Sequence, residues 1–180
     1  MESWLQRQTD RALEGLEGSV DTGTIEVSSR IRQRAFEKCA GITAAYSKTF
    51  SMAARMLPPE KARAIQAQYA FCRLTDDIAD RPSSDPHDDM RRWRQRVMRP
   101  DAASDDLVPL AWALTRTRFQ IPDAWVKALI DGVSRDLTQR RYETFEDLVD
   151  YCYGVASTVG LMSMQIIGYS GPEAIPYAVK

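Results

Sequence analysis

The sequence has no apolar stretch of about 18 residues, the length a membrane-crossing helix requires, and its first ten residues hold no apolar core of a secretory leader. A cytoplasmic location is therefore expected. Glycine and proline are scarce, at nine each in 180 residues, and apolar residues almost nowhere alternate with polar ones, which removes most of the signal for strands. Neither sign of charge dominates: 24 Lys and Arg face 25 Asp and Glu, so there is no global positive field to gather a nucleic acid. The three cysteines (Cys39, Cys72, Cys152) are too few and too widely spaced for a disulfide framework or a zinc site, and are expected to be buried free thiols. The one histidine, His87, lies in a polar loop beside Pro86 and two aspartates and is expected to be exposed and idle. No G-x-G-x-x-G, phosphate-binding G-x-x-x-x-G-K-[ST] or H-E-x-x-H pattern occurs, so nothing supports a dinucleotide, nucleotide triphosphate or metalloprotease site.

What is present is apolar spacing of three and four residues along most of the chain, which predicts an all-α fold. Residues 1–27 differ in composition, end in the turn-rich stretch Gly18 to Thr24, and are taken as an N-terminal extension outside the core, free to be flexible. Residues 28–180 are taken as the folded domain. A helix from Ser28 or Ser29 should be disturbed at Tyr46 to Phe50. Pro58-Pro59-Glu60 should end that region and open a helix running to Asp80, because proline suits a first helical turn and not an interior. After the loop Arg81 to Pro86, helices are predicted at 88–98, 106–118 and 123–140, with Arg99 to Asp105 as one connecting loop. A last helix, with Thr144 as N-cap and Asp147 three residues on, should run to about Ile167.

Three segments carry candidate chemistry. On the Ala62 to Asp80 helix, Asp76 and Asp80 stand four residues apart and project from one face. Such a pair is also readable as a solvated helix surface, yet Asp76 continues the apolar stripe Ile65, Tyr69, Cys72, where an ionised carboxylate is costly unless paired or metal-bound. Mg²⁺ takes one or two carboxylates, keeps waters and accepts phosphate oxygens, a need this pair meets. Arg73, three and four residues before Asp76 and Asp77, can serve either an ion pair or a phosphate. In Tyr46-Ser47-Lys48-Thr49-Phe50, hydroxyls and an ammonium at a helix break make either a phosphate cradle or an ordinary Ser/Thr kink. In Tyr151 to Gly160, small residues at Cys152, Ala156 and Gly160 allow close approach of a helix or a hydrocarbon chain. The basic run Arg91 to Arg96 is read as a solvated helix face.

With these segments placed, residues 36 to 170 resemble the phytoene/squalene synthase family, bacterial phytoene synthases in particular. The resemblance rests on Ser47 to Phe50, Tyr69 to Arg73 with Asp76 to Asp80, Asp131 to Leu137 with Arg141 to Phe145, and Tyr151 to Gly160. It implies an isoprenoid synthase-type helical bundle in which Asp76 and Asp80 bind Mg²⁺, with Mn²⁺ as an alternative ion. Tyr46, Ser47, Lys48, Thr49, Tyr69 and Arg73 would face the substrate diphosphate. Phe50, Val155, Ala156, Val159 and Gly160 would line a prenyl tunnel, with Tyr151 near the reacting carbons as a catalytic residue. The implied activity is head-to-head condensation of two geranylgeranyl diphosphates to phytoene through a cyclopropylcarbinyl diphosphate. The alternatives are squalene or presqualene diphosphate synthesis from farnesyl diphosphate, and a non-catalytic synthase-like binding or assembly protein. The implied partner is a prenyl diphosphate, with transient peripheral membrane contact. The family's second aspartate-rich motif is not met before Lys180, so the bundle is expected to be truncated before that helix.

Overall fold

A computed structural model of the chain describes residues 3–18, 20, 25–81, 83–99, 106–139 and 141–180. Residues 100–105, most of the expected 18–24 turn, Pro82 and Arg140 lie outside the described residues. Among the described residues there are helices and no strands. In chain order these are α1 (Ser3–Leu16), α2 (Ser29–Tyr46), α3 (Lys48–Ala54), α4 (Pro59–Asp80), α5 (Pro86–Met98), α6 (Leu107–Phe119) and α7 (Asp123–Arg135). Then come α8 (Phe145–Cys152), a π-helical turn (Tyr153–Ser157), α9 (Thr158–Ile167), a 3₁₀ turn (Pro172–Ala174) and α10 (Ile175–Val179).

The predicted boundaries correspond to local chemistry. Ser28 caps α2 by accepting from the Ile31 N–H, Asp85 caps α5 through the Asp88 N–H, and Thr144 caps α8 through the Asp147 N–H. Pro59 opens α4, as its fixed φ allows. Gln120, at φ 50° and ψ 48°, ends α6 in the left-handed region. Two expectations need correction. The helix predicted to reach residue 140 stops at Arg135, because the N–H groups of Asp136, Leu137 and Thr138 bond back three residues and tighten the last turn. The single helix predicted from Thr144 to Ile167 is interrupted at Tyr153–Ser157 by a turn in which the Thr158 N–H reaches Tyr153, five residues back.

Helix α4 is the spine. It packs on α2, α6 and α9, and α7 packs on the π turn. Behind its second half, Phe71 is sandwiched between Trp93 of α5 and Trp112 of α6, with ring centroids 6.4 and 4.6 Å away and all three side chains buried. Thr75, one turn on, accepts a hydrogen bond from the Trp93 indole N–H at 2.8 Å. On the other flank the Gln68 amide donates to the Val159 carbonyl at 2.8 Å, tying α4 to α9. Arg116, 1% exposed, joins three helices by donating to the Val97 carbonyl and pairing with Asp123.

Residues 1–27 contain more than a loose extension. Helix α1 packs on α7, α8 and α10; Ala12 is fully buried in the common core, and its carbonyl accepts from the Trp125 indole at 3.3 Å. The Arg11 guanidinium lies 4.4 Å above the Tyr153 ring. The apolar positions of α1 are few, and a polar residue such as Gln8 is buried with its amide N–H donating to Asp150 at 2.5 Å. That kind of pairing is invisible to hydropathy. The expected burial of three thiols holds for Cys39; Cys72 is half-buried, and Cys152 faces solvent on α8.

Candidate active site

Ser47 separates α2 from α3 because its backbone is extended, at φ −148° and ψ 95°, while its hydroxyl accepts from the Phe50 N–H at 3.3 Å. The side chain predicted to cradle a phosphate is thus used as a helix cap. Lys48 and Thr49 follow it on the exposed first turn of α3. The break turns Phe50 onto Tyr69 of α4, stacked at 5.0 Å, and leaves Tyr46 under the Arg73 guanidinium at 4.5 Å from the ring centroid. Arg73 also pairs with Asp77. The four residues Tyr46, Phe50, Tyr69 and Arg73, predicted from two separate segments, are therefore on one surface.

One turn further along α4, Asp76 is half-buried and Asp80 exposed. Burial, then the neighbouring negative charge of Asp80, pushes the Asp76 carboxyl up to about 6, with Arg73 opposing and Asp136 adding to the rise. The rise comes first from burial of the carboxyl and only secondly from the negative charges around it. No third Asp, Glu, His or Cys joins a metal-sized cluster among the described residues. Two hard carboxylate oxygens with open surroundings fit an ion such as Mg²⁺, which completes its shell with water and phosphate oxygens, and do not fit a zinc-type closed site.

The influence of Asp136 on Asp76 brings in a residue that lies in the Asp131 to Leu137 motif but was given no role there. Asp136 sits at the tightened end of α7 and accepts a hydrogen bond from the Tyr151 phenol at 3.1 Å. Burial and this bond raise the Tyr151 phenol to about 12, so it remains protonated at neutral pH. Tyr142 leans on the Tyr151 ring at 4.9 Å. Fifteen residues separate Asp136 from Tyr151, so no helical spacing could have linked them; only the end of α7 meeting α8 does.

The contact between α7 and the π turn depends on two glycines. A Cβ on Gly154 would stand 2.9 Å from the Ala128 carbonyl oxygen and 3.1 Å from the Gly132 Cα, both backbone atoms with nowhere to move. Gly154→Ala is expected to destabilise the protein by about 1–3 kcal/mol through overpacking. Denaturant unfolding compared with Gly160→Ala checks this, since an added Cβ at Gly160 meets only the Ala178 carbonyl at an ordinary 3.5 Å.

The structure divides the predicted tunnel residues. Val155 lies against Gly132 and, with Val159, packs on the core. Ala156 instead lines a groove with Trp4 of α1 and Ala178 of α10, and Gly160 faces Ala178. These two are not brought together with Tyr151. The π turn lies between Tyr151 and Gly160, so a stripe extrapolated at constant 3.6-residue pitch does not stay on one face. Phe50 stays at the site, 38% exposed.

An all-helical bundle carrying a carboxylate pair, a guanidinium and a half-buried phenol belongs to the class of isoprenoid synthase-type folds. Comparison with known proteins narrows this: the squalene/phytoene synthase family model matches residues 43–180, and the chain belongs to that family. The 15-cis-phytoene synthase of Synechococcus elongatus is 39% identical over 137 residues, covering 74% of this chain and 44% of the relative. The phytoene synthase of Arthrospira platensis is 36% identical over 151 residues, covering 81% and 48%. Among solved structures, a dehydrosqualene synthase in complex with ligand superposes with a TM-score of 0.73 at 29% identity, covering 82% of this chain and 52% of that one. Squalene synthase HpnC from Alicyclobacillus acidocaldarius gives 0.75 at 26% identity, covering 85% and 58%. The chain spans less than half the length of these curated relatives and just over half that of the two structures. Among the described residues no helix is long and apolar enough to cross a membrane.

Proposed function

We propose that this chain carries the first diphosphate site of a head-to-head prenyl synthase, and that its substrate is geranylgeranyl diphosphate, condensed to phytoene. The observation that carries the reading is the grouping of Asp76, Asp80 and Arg73 on one face of α4, with Asp76 feeling the charge of Asp136, the acceptor of the Tyr151 phenol, and with Phe50 stacked on Tyr69 of the same helix. Asp76 and Asp80 would hold Mg²⁺, which supplies neutralisation of a departing diphosphate. Arg73 stands beside the two carboxylates and offers a planar donor set to phosphate oxygens once released from Asp77. Phe50 and Tyr69 present apolar faces where the first carbons of the prenyl chain would lie, excluding water from an allylic cation. Tyr151, held protonated and oriented by Asp136, offers its ring or its oxygen to the reacting carbons. The preference for a forty-carbon product rests on the phytoene synthase relatives.

The test is incubation of the purified chain with Mg²⁺ and labelled geranylgeranyl diphosphate, with farnesyl diphosphate in parallel, and identification of products by mass, together with calorimetric binding of a non-reactive thiodiphosphate analogue. A forty-carbon hydrocarbon, or Mg²⁺-dependent binding that favours the geranylgeranyl analogue, is expected. A thirty-carbon product would replace the substrate assignment. A folded chain that binds neither analogue at any Mg²⁺ concentration would remove the reading.

A further inference from the structure

At the opposite end of α4 lies a feature that the proposed active site does not use. A cavity of about 590 Å³ opens between the first turns of α4, the start of α2 and the end of α6. Ile25, Phe36, Leu114 and Phe119 make its floor apolar, and a second groove of about 460 Å³ continues from it along α2, sharing Arg32, Phe36 and Arg63. Its size is that of a site for a small organic ligand. The charge at its mouth is unbalanced. Arg118 is matched by Glu60, with Nε to Oε1 at 2.5 Å, whereas Arg32 and Arg63 have no carboxylate partner among the described residues.

A further observation points the same way. Helix α4 begins at this mouth, and Pro58 gives its first turn no side-chain cap; Pro58 and Pro59 carry no N–H and the Ala62 N–H donates to the Pro58 carbonyl, so the open N–H groups are those of Glu60 and Lys61, at the positive end of a 22-residue helix. Two exposed guanidinium groups without a carboxylate partner, beside this helix start and around an apolar trough, are complementary to an anionic head on a hydrocarbon tail.

We propose that this groove is a second binding site, for a single-chain molecule with a phosphate head and a linear hydrocarbon tail. The phosphate sits between Arg32, Arg63 and the first turn of α4, and the tail runs over Phe36 and Leu114. Arg63 and Asp76 are thirteen residues apart, about 20 Å along the helix, so one short head group cannot occupy both sites. The site neither uses Asp76 and Asp80 nor needs a divalent cation, and it stands independently of the proposed catalytic reading.

The test is calorimetric titration of the whole chain in EDTA with three probes: oleoyl lysophosphatidate, geranylgeranyl monophosphate and inorganic phosphate. Saturable, EDTA-insensitive binding of a tailed phosphate is expected, weakened by about tenfold or more in Arg32→Glu and in Arg63→Glu, as loss of a charged hydrogen bond predicts. Arg34→Glu, exposed on the same helix outside the groove, controls for net charge and should bind as the parent does. Asp76→Asn should also bind as the parent does, whereas it would lose any Mg²⁺-dependent binding at the first site, so the two readings fail separately. Which tailed probe binds more tightly assigns the source, lipid or isoprenoid. No saturable binding of either tailed probe overturns the proposal. So does equal binding by folded Arg32→Glu and Arg63→Glu proteins, or inorganic phosphate binding as tightly as the tailed probes, or loss of the EDTA-insensitive binding in Asp76→Asn.

Discussion

If Asp76 and Asp80 hold Mg²⁺ as proposed, Asp76→Asn should lower Mg²⁺-dependent binding of a prenyl diphosphate analogue by about a hundredfold or more, since one of the two carboxylates that would bind the cation is lost. The same substitution should not weaken the fold at neutral pH. Asp76 titrates at about 6 in the folded protein against 3.8 for the free group, chiefly because it is half-buried and secondly because Asp80 stands one turn away. A carboxyl whose folded pKa is raised binds its proton more readily folded than unfolded. Its contribution therefore opposes folding at pH 7 and fades as pH falls from about 6 towards 4, where stability rises. In the Asn variant that dependence should be gone. The measurement is thermal unfolding at pH 7.5 and 5.0, with and without Mg²⁺. The parent should be stabilised by Mg²⁺ at pH 7.5 and much less at pH 5.0, where protons compete for the ligand, and the variant at neither. Mg²⁺-dependent binding that survives in a folded Asp76→Asn protein would show that the carboxylate serves structure alone.

Residues that act through helical spacing were readable in the sequence, and those that act across elements were not. Asp76, Asp80, Arg73 and Tyr69 share α4, so their common face follows from 3.6 residues per turn. The break at Tyr46 to Phe50 was readable because two hydroxyls and an ammonium interrupt the helical pattern there; that Ser47 caps α3 through the Phe50 N–H is seen only in the structure. The role of Asp136 was not readable, although the residue lies in the Asp131 to Leu137 motif, because that role depends on a tightened turn after Arg135 and on its hydrogen bond to Tyr151 of α8. The π turn was also hidden. It needs the Gly132–Gly154 approach, and glycine inside an apolar helical stretch signals close packing without saying what hydrogen-bond pattern results. Residues 1–27 were set apart for their differing composition and turn-rich end, yet α1 is attached by Ala12 in the core and also by Gln8 and Arg11, through Asp150 and the Tyr153 ring. In each case the missed feature is a partner choice between side chains far apart in sequence.

The site on α4 is only as well placed as the packing behind it. Phe71 lies five residues before Asp76 and is fully buried, with its ring parallel to Trp112 at 4.6 Å and near-parallel to Trp93 at 6.4 Å. Phe71→Ala should destabilise the chain by about 3–5 kcal/mol, the usual cost of a phenyl-sized cavity in a rigid core. Two large indoles flank the void, and Trp93 is further anchored by its bond to Thr75, so collapse into the space is restricted. Phe71→Leu keeps most of the volume and should cost about 1.5 kcal/mol or less. Both are measured by urea unfolding. The pair also separates platform from ligand. In Phe71→Leu the backbone of α4 keeps its packing on α2 and α9, so Asp76 and Arg73 hold their places and Mg²⁺-dependent analogue binding should stay within a few-fold of the parent. In Phe71→Ala, wherever the protein remains folded, the loosened Thr75–Trp93 clamp is anchored at the residue next to Asp76, and binding should fall with stability. Equal stability of the alanine variant and the parent would mean that the aromatic stack does not support α4, and the positioning of the carboxylate pair would then have to come from its contacts with α2 and α9 alone.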